Sequence, residues 1–244
     1  MIPTRELNSF DQLKIKIFAD GANEAELREL NALDHIKGVT TNPTLMRQAG
    51  VRDYEAFARS VLEFVRTKPV SFEVIADTFT EMESQARRIA DWGDNVYVKI
   101  PITNTKGESS IPSIQKLTGM GVKLNITAIM TLQQVEKVAL VLKGGAAGIV
   151  SVFAGRIADT GRDPVPLMKQ AKAILEPHSN TELLWASPRE LLNIIQADEA
   201  GCDIITATPS ILSKLSKIGY SLDEFSLDTV KMFYNDARSA ALTL

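Results

Sequence analysis

The chain contains few of the residues that build metal centres and disulfides. Its 244 residues include one cysteine and two histidines. The single cysteine, Cys202, has no partner for an intramolecular disulfide, which is typical of proteins from a reducing cytoplasm. With so few soft ligands, a zinc site built of cysteine and histidine is not expected. The sequence therefore predicts a cytoplasmic protein without a metal.

Long hydrophobic runs, a basic leader and an excess of positive charge are missing as well. No apolar stretch reaches the length that a bilayer requires. Residues 1–11 are polar and mixed rather than basic and then apolar, so they do not resemble a secretory leader. The formal net charge of −3 argues against nucleic acid or an anionic membrane as the main partner. We therefore expect neither a nucleic-acid partner nor a membrane partner.

Short apolar runs alternate with longer amphipathic stretches from one end of the chain to the other. The clearest helical patterns, with apolar residues three and four apart, cover residues 23–35, 52–67, 79–92 and 131–143. About eight β-then-α units in 244 residues match the count and length of a (β/α)8 barrel. The predicted strands are residues 14–20, 38–42, 70–75, 95–101, 122–129, 148–153, 182–187 and 202–208.

A doubly wound open sheet is the alternative fold for this alternation. It would favour a glycine-rich nucleotide loop after the first strand, and the sequence Asp20-Gly21-Ala22-Asn23 is not one. The near-continuous apolar strands fit a parallel sheet that is covered on both faces. No linker or change of composition divides the chain. We therefore predict an α/β fold in which residues 1–244 form a single-domain (β/α)8 TIM barrel.

Capping patterns predict where two of the helices begin. Thr80 followed by Glu83 is a candidate capping box, and so is Ser221 followed by Glu224. The second of these starts a helical pattern over residues 221–244. Two interpretations of that segment stay open: the last barrel helix with a tail, or an arm that packs on a neighbouring subunit of a homo-oligomer.

Lys99 is a charged residue in an unexpected place. It lies in residues 95–101 (NVYVKIP), an apolar and partly β-branched run that is typical of a buried strand. Removing an ammonium from water is costly unless the group is paired or neutralised. A neutral buried amine is a nucleophile toward carbonyl groups. The alternative is a lysine near a strand end whose ammonium extends to solvent.

Further polar residues occur where the other predicted strands end, and in a barrel the active site lies at that edge. Each has a structural alternative: Asp20 and Ser187 as helix caps, Thr40 and Thr127 as core residues, the arginines as loop ion pairs. In a barrel one pocket would receive five of these side chains, which is more buried polarity than a structural core tolerates; the five are Asp20, Glu73, Lys99, Asn125 and Thr127. The polar candidate site residues are Asp20, Thr40, Asn42, Glu73, Lys99, Asn125, Thr127, Ser151, Arg156, Ser187 and Arg189.

Such a set suits carbon–carbon bond cleavage through a Schiff base. Lys99 would attack a ketone and form a carbinolamine and then an iminium, which is an electron sink for the neighbouring bond. Glu73, hydrogen-bonded through a water to Thr127, would carry protons. Asp20 would be the base on the substrate hydroxyl.

The remaining polar residues of the set suit binding of a phosphorylated sugar. Arg156 and Arg189 would hold a phosphate, because guanidinium groups match such oxyanions. Asn42, Asn125 and Ser151 would bind sugar hydroxyls.

Four segments of the chain resemble the transaldolase family. Residues 38–46 (GVTTNPTLM) match its first signature, and residues 96–103 (VYVKIPIT) match the segment around its Schiff-base lysine. Residues 125–127 (NIT) and 151–157 (SVFAGRI) are similar to two further active-site segments. The resemblance runs in order from about residue 14 to residue 215, and such a set is far more specific than one lysine.

The resemblance implies roles for these residues. By it, Lys99 is the Schiff-base residue, Asp20 is the acid/base at the cleaved bond, and Glu73 and Thr127 hold the catalytic water. It implies a class I aldolase-like barrel without metal or organic cofactor. The substrates it implies are phosphorylated ketoses and aldoses, as in the pentose phosphate pathway, with a three-carbon dihydroxyacetone unit transferred between them. Small members of the family form rings, so a homo-oligomer is expected. The substrate-binding residues that it implies are Thr40, Asn42, Asn125, Ser151, Phe153, Arg156, Ser187 and Arg189.

Two other functions stay open, one catalytic and one not. A shorter branch of the family, the fructose-6-phosphate aldolase type, releases the three-carbon unit, and this chain has the short length of that branch. That branch has glutamine at the position of Glu73 and tyrosine at the position of Phe153, so both residues favour the transferase. A tyrosine hydroxyl can help to protonate the enamine, whereas phenylalanine cannot. The second alternative is a catalytically silent sugar-phosphate-binding protein on the same fold.

Three positions depart from the family pattern. Val152 replaces a usual proline, Pro188 separates Ser187 from Arg189, and Ala22-Asn23 forms a different turn after the first strand. The catalytic set is intact, whereas the acceptor pocket and the second phosphate contact are left open.

Overall fold

Eight parallel strands close into a barrel in the order in which they occur along the chain. The computed structural model describes residues 8–178 and 180–243. Residues 1–7 of the polar opening segment and residue 244 of the predicted C-terminal helix lie outside the described residues. The predicted (β/α)8 barrel is confirmed. The strands are β1 Lys16–Asp20, β2 Ile36–Thr40, β3 Val70–Glu73, β4 Val96–Pro101, β5 Leu124–Ile129, β6 Gly148–Val152, β7 Thr181–Trp185 and β8 Ile204–Ala207.

Helices follow every strand and cover the outside of the barrel. Residues 8–178 and 180–243 also contain two short 3-10 turns, Phe10–Gln12 and Leu215–Lys217. The α-helices are α1 Glu24–Asn31, α2 Pro43–Gln48, α3 Tyr54–Phe64, α4 Phe79–Ala90, α5 Ile111–Gly119, α6 Leu132–Leu142, α7 Ala154–Ala158, α8 Val165–Leu175, α9 Leu192–Glu199, α10 Pro209–Leu212 and α11 Leu222–Ser239.

Helix caps set several element boundaries that the apolar pattern alone misplaces. The second strand ends at Thr40 rather than at residue 42, because Asn42 accepts a hydrogen bond from the backbone N–H of Leu45 and caps α2. The expected Thr80 cap is wrong. Thr78 caps α4 two residues earlier, since its hydroxyl accepts from the backbone N–H of Glu81 and donates to the Glu81 carboxylate. Ser221 caps α11 as predicted.

Two apolar layers hold the barrel together. The larger one lies between the strands and the surrounding helices. The smaller one fills the inside of the barrel and consists of Phe18, Ile149, Leu184, Ala186 and Ile204. Gly38 on β2 makes room for the Phe18 ring, because a Cβ atom at residue 38 would lie 2.5 Å from ring atoms of Phe18.

Helix α11 contributes no buried side chain to the fold. Large apolar residues along it are about half exposed or more, from Phe225 at 48% to Leu222 at 83%. An isolated chain rarely leaves so much apolar surface in water. Among the described residues, no helix is both long and apolar enough to cross a membrane.

Candidate active site

All the candidate site residues line one cavity at the carboxyl ends of the strands. The cavity has a volume of about 510 Å³, which is sufficient for a small phosphorylated metabolite. The cavity lies at the end of the barrel where enzymes of this fold carry out their chemistry. The structure therefore brings together Asp20, Thr40, Asn42, Glu73, Lys99, Asn125, Thr127, Ser151, Phe153, Arg156, Ser187 and Arg189.

Lys99 points into this cavity and not into bulk water. Lys99 lies on β4, and its partners in register are Glu73 on β3 and Asn125 on β5. The Lys99 Nζ lies 3.1 Å from a Glu73 carboxylate oxygen and donates to the backbone carbonyl of Thr41 at 3.2 Å. Lys99 as a whole is only 6% exposed. Its amine thus has a carboxylate within proton-transfer distance and one face toward the cavity.

Asp20 ends β1 and faces the same cavity. Its carboxylate accepts a 2.8 Å hydrogen bond from the Thr40 hydroxyl, which lies in register on β2. Burial raises the pKa of Asp20, the positive charge of Lys99 and the Thr40 hydrogen bond oppose this rise, and the negative charge of Glu73 adds to it. A carboxyl group with a raised pKa is a stronger proton acceptor than an ordinary carboxylate, which suits proton exchange with a substrate.

Asn125 is held in one orientation by two serine hydroxyls. Its amide nitrogen donates to Ser71 at 3.0 Å, and its amide oxygen accepts from Ser151 at 2.6 Å. Asn125 is completely buried among its protein neighbours. Thr127, two residues further along β5, has a buried hydroxyl without a hydrogen-bond partner among the described residues. That hydroxyl is available to a polar group within the cavity.

The β5 strand has an irregularity next to Thr127. Ala128 has a φ of 60°, in the left-handed region, and the pairing with β6 shifts between Ile126 and Ile129. For a residue with a Cβ this conformation costs about 1–2 kcal/mol. Such strain concentrates at functional sites, where it redirects side chains.

Two arginines close the rim of the cavity. Arg156 belongs to α7 and Arg189 follows β7. The guanidinium of Arg189 donates twice to the Asp159 carboxylate, once at 3.0 Å from Nε and once from Nη2. The Arg189 hydrogen bonds lower the pKa of Asp159. The loop therefore holds one arginine in a fixed orientation and leaves a second beside it, which is suited to binding an anion.

Gly155 lets the loops that carry these arginines approach one another. Its backbone N–H donates to the Ala186 carbonyl at 3.3 Å. A Cβ at this position would lie 1.5 Å from the carbonyl oxygen of Ser187, which itself has a φ of 61°. Only glycine fits such a contact.

Several residues of the site were missed by sequence reasoning. Ser71, Thr206 and Asp159 contribute hydrogen bonds, and Gly155 provides space. Strand alternation contains a signal for two of them, since Ser71 lies two residues before Glu73 and Thr206 lies near the end of the eighth predicted strand. Among the described residues, no group of three or more histidine, cysteine, aspartate or glutamate side chains is arranged to hold a metal.

Comparison with known proteins places the chain in a family. The family described as Transaldolase/Fructose-6-phosphate aldolase matches residues 17–243. The chain belongs to this family. A protein named "Probable transaldolase" from Nitrosopumilus maritimus (strain SCM1) is 32% identical over 225 residues, covering 89% of this chain and 96% of that protein. One of the same name from Lactiplantibacillus plantarum (strain ATCC BAA-793 / NCIMB 8826 / WCFS1) is 35% identical over 202 residues, covering 82% and 88%.

Solved structures of other proteins share the fold at low sequence identity. Dihydrodipicolinate synthase from Rhodopseudomonas palustris superposes with a TM-score of 0.59 at 14% identity, covering 91% of this chain and 79% of that one. A mandelate oxidase mutant gives a TM-score of 0.57 at 13% identity, covering 87% and 74%. These likenesses concern the barrel alone, whereas the family assignment rests on the sequence.

Proposed function

We propose that this protein is a transaldolase-type transferase that moves a three-carbon dihydroxyacetone unit between phosphorylated sugars through a Schiff base on Lys99. One observation carries the proposal. The Lys99 amine is buried, lies 3.1 Å from the Glu73 carboxylate and shares a cavity with Asp20, in a chain of the transaldolase family. A buried lysine that lies beside a carboxylate and faces a cavity is suited to act as a nucleophile toward a carbonyl group.

The first half of the reaction forms the covalent intermediate. Glu73 accepts a proton from the Lys99 ammonium, and the neutral amine adds to the ketone carbon of the donor sugar. The resulting carbinolamine loses its hydroxyl as water after protonation, leaving an iminium. Glu73 supplies that proton through a water held with the Thr127 hydroxyl, which has no other partner among the described residues.

Bond cleavage follows from the iminium. Asp20 removes the proton from the hydroxyl on the far carbon of the bond to be broken, the carbon that becomes the aldehyde of the leaving product. The carbon–carbon bond then breaks, its electron pair flows into the iminium to form an enamine on Lys99, and an aldose phosphate leaves. In the second half an acceptor aldehyde takes the place of that product. The enamine attacks it, Asp20 returns the proton, and hydrolysis frees Lys99.

The remaining cavity residues position the substrate. Thr40, Asn42 and Ser151 face sugar hydroxyls together with Asn125, whose amide is already oriented by two serines. The phosphate of the donor lies against Arg156, Arg189 and Ser187 at the rim. Phe153 forms an apolar wall of the cavity. The chemistry of the side chains supplies every step, so no metal or organic cofactor is required in this mechanism.

Transfer is favoured over simple cleavage by two residues. The lyase branch has glutamine at the position of Glu73 and tyrosine at the position of Phe153. Phe153 has no hydroxyl, so it cannot protonate the enamine and release free dihydroxyacetone. Product analysis with fructose 6-phosphate tests this. Turnover that requires an added aldose phosphate supports the transferase, whereas free dihydroxyacetone formed at the same rate without acceptor identifies a lyase.

The proposal extends to the working form of the protein. Helix α11 exposes apolar residues along its length, and a second copy of the chain in a homo-oligomer would cover them. The single cysteine, which is buried, suits a cytoplasmic location. The pentose phosphate pathway supplies sugars of the required class. Analytical ultracentrifugation tests the assembly: an oligomer is expected, and a monomer at micromolar concentration would contradict it.

A further inference from the structure

Thr206 on β8 is a buried polar residue of the cavity that the mechanism above does not use. Its hydroxyl oxygen lies 2.5 Å from that of Thr40, and the Thr40 hydroxyl lies 2.8 Å from an oxygen of Asp20. Thr206 is 5% exposed and Thr40 is 2% exposed. The three residues come from three consecutive strands of the closed barrel, in which β1 lies between β8 and β2. They form one continuous hydrogen-bonded row that ends on the carboxyl group.

Counting protons fixes the direction of this row for the ionised form of Asp20, the form that acts as the base. Each threonine hydroxyl has one proton to donate, and an ionised carboxylate has none. The contact between Thr40 and ionised Asp20 therefore uses the Thr40 proton. The 2.5 Å contact between the two hydroxyls then needs the proton of Thr206, because two oxygens this close without a proton between them would repel. The order that satisfies both contacts is Thr206 to Thr40 to Asp20.

We infer that Thr206 is a positioning residue that keeps Thr40 as a hydrogen-bond donor to the carboxylate of Asp20. The inference rests on the proposed function, in which Asp20 is the base of the cleavage step. Thr206 acts through Thr40 and transfers no proton to the sugar. Its effect is to hold Asp20 ionised and in one orientation when the substrate hydroxyl arrives.

The electrostatic surroundings of Asp20 explain why one hydroxyl matters. Lys99 on β4 and Glu73 on β3 act on it with opposite signs, and Arg156 and Arg189 also line the cavity. Burial raises the pKa of Asp20, and the Thr40 hydrogen bond opposes that rise. A hydroxyl that accepts one hydrogen bond becomes a stronger donor of the next. Without the Thr206 hydroxyl, the charged form of Asp20 loses support.

Replacing Thr206 with valine tests this directly, because Thr206→Val keeps the side-chain shape and removes the hydroxyl. The readout is the titration of the Asp20 carboxyl carbon, followed by NMR in protein with carbon-13-labelled aspartate and assigned with Asp20→Asn. We expect the Asp20 midpoint to rise by about half a pH unit. The acidic limb of kcat/KM moves in the same direction, and kcat/KM at neutral pH falls by about 3- to 10-fold. Thr206→Ser keeps a hydroxyl at this position and is expected to keep the wild-type Asp20 midpoint and the wild-type kcat/KM.

A matched control is available on β7. Thr181 is a buried threonine of a barrel strand, 7% exposed, whose hydroxyl has no partner among the described residues and which does not line the cavity. Thr181→Val is expected to leave the Asp20 titration unchanged. Should Thr206→Val not fold, Thr206→Ala removes the same hydroxyl and is measured in the same way.

The outcomes separate this inference from the proposed function. An unchanged or lowered Asp20 midpoint in Thr206→Val overturns the inference, and so does a serine variant that titrates like the valine variant. The NMR titration needs no turnover. An Asp20 midpoint that rises in Thr206→Val, in a protein whose wild type forms no product, would contradict the proposed reaction and leave the positioning role supported.

Discussion

Glu73 and Lys99 are register partners on neighbouring strands, and the Lys99 Nζ lies 3.1 Å from a Glu73 carboxylate oxygen inside the barrel mouth. The pair has side chains 8% and 14% exposed, for Lys99 and Glu73 respectively. Two partly desolvated charges of this kind are not retained for stability alone, since apolar residues of similar volume often serve a core as well. The pair is best understood as a proton donor and acceptor.

Glu73→Gln removes the proton acceptor and keeps the side-chain size. We expect kcat for acceptor-dependent transfer to fall by about 10²-fold, the lower end of what a general acid–base group contributes, because the amide cannot take the Lys99 proton. Steady-state kinetics with fructose 6-phosphate measure the effect. Glu83→Gln is the control, since Glu83 pairs with Lys116 on the outside of the barrel at 2.5 Å. Equal losses in the two variants would argue against a role in catalysis.

Arg156→Ala tests the phosphate contact at the rim of the cavity. Loss of a charge-assisted hydrogen bond to the donor phosphate is expected to raise KM for fructose 6-phosphate by about 10- to 100-fold. KM for unphosphorylated fructose should change little, because it lacks the group that Arg156 holds. Arg162→Ala, whose parent side chain hydrogen-bonds only to nearby Thr160 among the contacts described, is the matched control. A loss of the same size with both sugars would place Arg156 elsewhere in the mechanism.

Gly155→Ala tests the close approach of the β6 and β7 loops. The added Cβ would lie 1.5 Å from the Ser187 carbonyl oxygen, so the backbone must move. We expect a loss of about 3 kcal/mol in the free energy of unfolding, together with weaker binding of phosphorylated sugar. Gly119→Ala in α5 is the control, since nothing lies within 4 Å of its added Cβ. That variant should be slightly stabilised. Urea unfolding compares the two, and similar stabilities would contradict the loop geometry.

Asp20→Asn tests the electrostatic cost of a buried carboxylate. The folded-state pKa of Asp20 is raised by burial, so at pH above that pKa ionised Asp20 destabilises the folded protein. This destabilisation decreases as the pH falls below the pKa of Asp20 in the folded protein. It is absent below the pKa of Asp20 in the unfolded protein, where the carboxyl group is protonated in the folded and the unfolded state alike. At pH 8 the asparagine variant should melt at a higher temperature than wild type, because it lacks the buried charge. The difference should shrink toward pH 4. A difference that grows on acidification would contradict the assigned direction.

The barrel and eleven of the twelve candidate residues follow from patterns that a sequence displays, and the family resemblance adds Phe153, whereas the contacts between strands do not follow from either. Lys99 in an apolar run and polar residues at strand ends are local features, so alternation and the (β/α)8 topology were enough to place them at one edge. The Thr206–Thr40 contact joins residues far apart in the chain, and the Asp159–Arg189 pair joins two loops. The left-handed φ of Ala128 leaves no compositional signal, because alanine rarely adopts that conformation. The Thr80 cap was wrong because Thr78 offers the same chemistry two residues earlier.

The central claim is that Lys99 forms a covalent imine with a phosphorylated ketose, and borohydride trapping measures it most directly. Wild-type protein is incubated with fructose 6-phosphate, reduced, digested and mapped by mass spectrometry, with Lys99→Arg treated in parallel. The account predicts a reduced three-carbon or six-carbon sugar adduct on Lys99 in the wild type and none in the arginine variant. A ketose panel that gives no adduct at Lys99, or an adduct on another lysine, would contradict it.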